Sequence, residues 1–412
     1  MIHLILLLHI SICILNEVLN SPLPSTQFRF FLDTIEIEVF LTNSSEKITL
    51  CPNIATDTSW ISNHALKLEY NQPIKSLGYE NIAIKNTTEK SERLLFPFKI
   101  ENAFEINEFS INYIDKSSLL LSDSLALGYK FKDINRSIIH ILKNQGIISQ
   151  AAFGFKQVSL ENKGVLYFGG MTKAIEDNFE KAICHVNPHY THWGCDMKYM
   201  FFNHDISNGI YIDSYSYFVS NTFYSLLPTK YFELIVEKLF GQLIGMNKCQ
   251  YQTRDKLKCV VCECNSVKNV EDITFVIEGT GFDMGYKKMF EKVFSSCYFN
   301  FRTIDKDSKD TEKQLGNVWL LGTSFYIDYY TKFSYEDSTI SFYMDDDFQK
   351  VDISPYIKIE NNNNNKDNKD YSNENENAHT VNKINKKMVI LSILVITMIG
   401  LLFNIYIQKK LL

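Results

Sequence analysis

From Met388 to Ile407 the chain runs for twenty residues without a charge, between Lys386-Lys387 and Lys409-Lys410. At helical rise such a run is about 30 Å long, the thickness of a bilayer's hydrocarbon core. A segment of this kind is most stable across a membrane, so it divides the chain into two sides. A second apolar run, Leu4 to Leu15, opens the sequence and is followed by polar Asn16-Glu17 and by Asn20-Ser21-Pro22. It is short for a span and reads as a secretory signal peptide, residues 1–20, with an uncleaved signal anchor as the alternative. The two ends together predict a type I membrane protein, its body in the lumen and residues 408–412 in the cytosol. Lysines on both sides of the span make the positive-inside rule uninformative.

The last four residues, Lys409-Lys410-Leu411-Leu412, are similar to a dilysine retrieval signal, an address read by a receptor. That reading places the protein in the endoplasmic reticulum or early secretory pathway. Two lysines that merely end the membrane helix are the other reading, and they leave the cell surface open as a destination. Between body and membrane, residues 358–387 include Asn361 to Asn365 and continue in Asn, Lys, Asp and Glu. Such a segment buries too little apolar surface to fold and is expected to be an unfolded stalk.

For the body, 30 Phe and 23 Tyr favour strands. The net charge of −6, with no basic patch, excludes nucleic acid as an expected partner. Of nine cysteines, Cys13 falls in the signal segment. The remaining Cys51, Cys184, Cys195, Cys249, Cys259, Cys262, Cys264 and Cys297 are even in number, which in a lumenal protein points to disulfides. The group Cys259, Cys262 and Cys264 has metal-ligand spacing, but in an oxidising lumen a knotted loop closing onto Cys249 and Cys297 is favoured over zinc. Cys184, His185, His189, His192 and Cys195 repeat that choice, and one disulfide across a loop is again favoured. No metal and no cofactor is expected. Asn43, Asn86 and Asn135 each head an N-glycosylation sequon.

Several segments, in order, carry a resemblance. Glu36 to Leu41 and Lys47 to Leu50 alternate like a hairpin, and Trp60 follows. Asp123-Ser124-Leu125-Ala126-Leu127-Gly128-Tyr129 precedes Ile141 to Gln150, and Gly164-Val165-Leu166-Tyr167-Phe168-Gly169-Gly170 comes next. Further on stand Phe218 to Thr222, then Leu226-Leu227-Pro228, Asp272 to Gly279, Val318-Trp319-Leu320-Leu321-Gly322, and Tyr329-Tyr330-Thr331-Lys332-Phe333. This series resembles the pepsin-like aspartic proteases, and the C-terminal span is similar to that of membrane-anchored, plasmepsin-like members. The resemblance implies an all-β, two-lobed fold with a few short helices, plus one C-terminal transmembrane helix. The expected lobes are residues 21–188 and 189–357.

The family's two catalytic aspartates each open an Asp-Thr/Ser-Gly loop. Counting seven residues back from Trp60 puts the first position at Asn53, with Ala55 where the glycine belongs. Counting back from Pro228 puts the second at Val219, with Asn221 at the glycine. The family chemistry needs two carboxylates that share one proton and hold a water. Asn53 has no proton to exchange near neutral pH, and Val219 cannot bond water at all. The sequence therefore predicts a catalytically degenerate member with no catalytic residue at either position. Asp57 and Asp213 are the only substitutes the loops offer. The resemblance also assigns Trp60, Thr222, Gly322 and Tyr70 to the substrate cleft, Tyr70 opening a shortened covering hairpin from Tyr70 to Ile82.

Three functions stay open at this level. One is an inactive protease-like protein that binds an extended peptide or protein segment, or serves as a scaffold. Another is an active, divergent endopeptidase that processes secretory cargo. The third is a receptor or adhesion ectodomain.

Overall fold

The computed structural model describes residues 23–344, apart from 32–33, 41–46, 63–74, 85–86, 102, 115–122, 159–162, 206–208, 255–256, 305–317 and 327–328. The signal, stalk and membrane segments lie outside the described residues, as do Tyr70, Asn43 and Asn86. Among the described residues no helix is long and apolar enough to cross a membrane.

Strands dominate, as the aromatic and β-branched content of the body requires. They form a 13-stranded sheet that holds most of the first half and an 11-stranded sheet in the second. The hairpin expected around Leu41 is present: Thr34–Val39 pairs antiparallel with Ile48–Asn53, with Ile37 opposite Leu50. Strand Ile273–Ile277 is buried at every position, and four of its five residues are apolar, Thr274 being the exception. The closing strands Tyr330–Ser334 and Thr339–Met344 leave the second half. They pair with Ala152–Val158 and Glu180–His185 in the first sheet, tying the two halves together.

Helices are few and short. Ile138–Asn144 buries Ile138, Ile139 and Leu142 and stops at Gly146, whose φ of 72° suits a residue without Cβ. Thr229–Gly245 follows Pro228, which cannot supply a helical N–H and so marks the start. Its Tyr231, Phe232, Ile235, Val236 and Phe240 form one buried stripe.

Three disulfides form: Cys184–Cys195, Cys249–Cys262 and Cys264–Cys297. The even cysteine count implied a fourth, and it is not made. Cys51 and Cys259 remain thiols, buried in separate sheets. Burial pushes the Cys51 thiol up to about 12, so it packs as a small apolar group.

Residues 70–74, where the expected covering hairpin opens, lie outside the described residues. Lys75–Ile84 is one strand, paired antiparallel with Thr87–Ile100 so that Ile84 faces Thr87. The connection between these two strands falls at residues 85–86, outside the described residues. Gly78 adopts φ 99° within a bulge between Ser76 and Tyr79.

Candidate functional site at the junction of the two halves

Each half contains the same crossing of strands. In the first, Ile48–Asn53 runs parallel to Ser124–Ala126, which is antiparallel to Trp60–Ser62. In the second, Ile210–Phe218 runs parallel to Trp319–Leu321, which is antiparallel to Ser225–Leu226. A loop leaves the first strand of each crossing, one beginning at Asn53 and the other at Val219.

Hydrogen bonds fix the equivalence residue by residue. Ala126 N–H donates to Ser59 Oγ at 2.9 Å, and Gly322 N–H donates to Ser225 Oγ at 3.0 Å. The sequence interval from Asn53 to Ser59 and Trp60 equals that from Val219 to Ser225 and Leu226. Trp60 then pairs with Ser124 as Leu226 pairs with Leu320. Asn53 and Val219 are thus counterparts in an internal two-fold arrangement.

Ser220 joins the two loops. Its Oγ donates to Pro52 O at 2.7 Å and accepts from Ile54 N–H at 3.1 Å, gripping both neighbours of Asn53. Ser220 is fully buried, and Asn53 and Val219 are nearly so. The second loop is braced from behind as well, where Val219 N–H donates to Leu321 O and Tyr326 O–H donates to Val219 O.

Asn53 turns its side chain back onto its own loop, with Oδ1 accepting from Ala55 N–H at 3.0 Å. Thr222 is likewise internal: its Oγ1 donates to Tyr224 O, and its carbonyl accepts from Thr323 N–H. Gly322 packs so tightly that a Cβ there would stand 2.1 Å from Tyr224 O. Trp60 is buried, and its indole N–H has no hydrogen-bond partner among the described residues.

The two substitute aspartates do not share this position. Asp57 lies in the first loop, four residues after Asn53, where its Oδ1 accepts from Thr58 Oγ1 at 3.0 Å. Asp213 belongs to the strand Ile210–Phe218, six residues before Val219. At about 3.3 Å per residue, that is roughly 20 Å along the strand.

Two buried titratable groups flank the junction. Asp123 Oδ1 accepts from Ser62 N–H, and burial pushes its carboxyl up to about 7. Burial pushes the His192 imidazole down to about 4, against the opposing pull of Asp57. His192 Nε2 has no hydrogen-bond partner among the described residues, and its ring stands edge-on to Tyr217 at 5.2 Å. Beside it Tyr190 stacks on Tyr215 at 3.9 Å. Arg136 holds Glu80 of strand Lys75–Ile84 through two contacts of 2.8 Å. Partial burial pushes the Glu80 carboxyl up, but the guanidinium overcomes this and the net direction is down. Asn135, the sequon residue beside Arg136, is exposed.

Sequence reasoning passed over Ser220, Ser59 and Ser225, and weighed His192 only as a metal ligand. Equal spacing of the two serines from Asn53 and Val219 was the available signal. Among the described residues no group of three or more metal-ligating side chains gathers. The histidines of the Cys184 to Cys195 segment are dispersed, His185 pairing with Glu278 at 2.8 Å.

The family model described as eukaryotic aspartyl protease matches residues 122–344. The matched span takes in the Val219 loop and both closing strands, and it leaves the Asn53 loop outside. No curated protein matches the sequence.

Proposed function

The chain belongs to the eukaryotic aspartyl protease family, and from that membership we propose that it holds extended polypeptide between its two halves without cutting it. The observation that carries this reading is Ser220, which fastens the Val219 loop to both neighbours of Asn53. The residues so joined are an amide and an aliphatic side chain, where the family reaction uses a pair of carboxylates. Losing one acid–base group typically costs about 10²–10⁴ in rate, and here both are replaced. Asp213, the other substitute, belongs to the strand Ile210–Phe218, six residues before Val219. The reading takes the junction of the two sheets as the groove in which an extended segment pairs its backbone as a strand does.

The same proposal sets the body in the lumen of the early secretory pathway, tethered by residues 388–407. Three disulfides support an oxidising compartment. Protease protection of the body in intact microsomes, lost on detergent, checks that orientation.

Full-length protein in detergent, incubated with an octapeptide pool between pH 4 and 7, should retain peptides without generating fragments visible by mass spectrometry. Fragmentation that disappears in Asp57→Ala would replace this reading with that of an active, divergent endopeptidase.

A further inference from the structure

Resting on that peptide-binding reading, we infer that Asn53 Nδ2 is the donor that takes a backbone carbonyl oxygen of the bound peptide. The orientation of the carboxamide follows from its neighbour. Ala55 N–H is a donor, so the atom facing it at 3.0 Å is the oxygen, Oδ1. The amide nitrogen is left on the other side, a donor with no lone pair to offer. Among the described residues it makes no hydrogen bond, and it is not one of the enclosed, unpartnered side-chain atoms. It therefore keeps access to whatever enters the junction.

Its surroundings narrow the choice of acceptor. Ser220 Oγ already donates to Pro52 O and accepts from Ile54 N–H, so it has little left to offer a guest. Val219, the two-fold counterpart of Asn53, contributes methyl groups only. A water held in such a place needs two to four polar partners, more than the single donor Asn53 Nδ2 supplies. A carboxylate would give up its hydration in this nearly buried site, which is unfavourable. A peptide carbonyl meets both conditions, being neutral and needing one donor. The replacement of two acids thus converts a centre that holds water into one that holds a carbonyl.

The test varies both partners. The probe is a fluorescein-labelled octapeptide pool with the central peptide bond either intact or replaced by an (E)-alkene, which keeps the shape and lacks the oxygen. Full-length protein should bind the intact pool about tenfold more tightly than the alkene pool. Asn53→Asp, which keeps the acceptor for Ala55 N–H and exchanges the donor for an oxygen, should erase that preference by weakening the intact pool alone. Asn53→Ala should do the same, and the Asp variant keeps the test valid if the Ala variant does not fold. An unchanged preference in a folded Asn53→Asp protein, or equal binding of both pools by the parent, overturns the assignment of Asn53 and leaves the peptide groove standing. Binding of neither pool by the parent overturns the groove and this assignment together.

Discussion

In the first half, a serine accepts from the N–H of Ala126; in the second, its counterpart accepts from the N–H of Gly322. The strand crossings around them match in direction and order. What differs is the content of the two loops. The first carries a polar Asn53 that folds back on its own backbone and an Ile54 with no hydroxyl. The second carries an apolar Val219 and a Ser220 that bonds across the junction. Only one of the two reciprocal links that such symmetry permits is therefore made. The backbone crossings hold with an amide at one loop and an aliphatic side chain at the other, because they rest on burial and main-chain bonds that neither side chain supplies.

Close packing should break the comparison most visibly. A Cβ on Gly322 would meet main-chain atoms of Tyr224 at 2.1 Å and 2.6 Å, and backbone cannot step aside as a flexible side chain can. Gly322→Ala should cost about 3 kcal/mol or more. Ala126→Gly, at the equivalent place in the first half, fits sterically and should cost about 1 kcal/mol. Urea midpoints of the two variants check this, and equal losses would mean that the equivalence is wrong.

Acid and base sharpen the contrast next. Asp123, in the first half, has its folded pKa raised to about 7 by burial. Its neutral form is favoured by folding, so its contribution is complete below about pH 4 and lost as the pH rises through about 7. His192, in the second half, has its folded pKa lowered to about 4. Its contribution is complete above about pH 6.5 and lost as the pH falls through about 4. Between about pH 4 and 6.5 the two slopes oppose each other, each up to about 1.4 kcal/mol per pH unit. Asp123→Asn should leave stability that rises with pH over this window, and His192→Gln stability that falls with it. Thermal melts at half-unit intervals of pH check both signs, and parallel profiles would show that neither group is as enclosed as its surroundings imply.

The all-β class was legible because strands need apolar alternation and aromatics, and both are local. Counting from Trp60 and Pro228 reached Asn53 and Val219 because the loops keep their length between fixed landmarks. The bulge at Gly78 was not legible, because only the partner strand Thr87–Ile100 reveals it. Cys51 and Cys259 were counted as bridge-forming because sequence gives parity and not position. Ser220 was invisible as a link, since its two partners lie in the other half of the chain, 168 and 166 residues away.

The smallest expected effect probes the missing link itself. Ser220→Ala removes a donor to Pro52 O and an acceptor for Ile54 N–H in a fully buried place, and should cost about 2 kcal/mol. Ile54→Thr supplies, by the two-fold relation, the hydroxyl that the first loop lacks, aimed at the backbone around Phe218 and Ser220. It gives up about 1 kcal/mol of buried hydrocarbon and regains about as much in hydrogen bonding, so the net change should stay within about 1 kcal/mol. With the new hydroxyl bridging in reverse, Ser220→Ala should become cheaper by about 0.5–1 kcal/mol in the double variant. Denaturant midpoints of the four proteins complete the cycle. Strict additivity, or a loss above about 2 kcal/mol for Ile54→Thr alone, would mean that an unbonded hydroxyl had been buried and that the symmetry stops at the backbone.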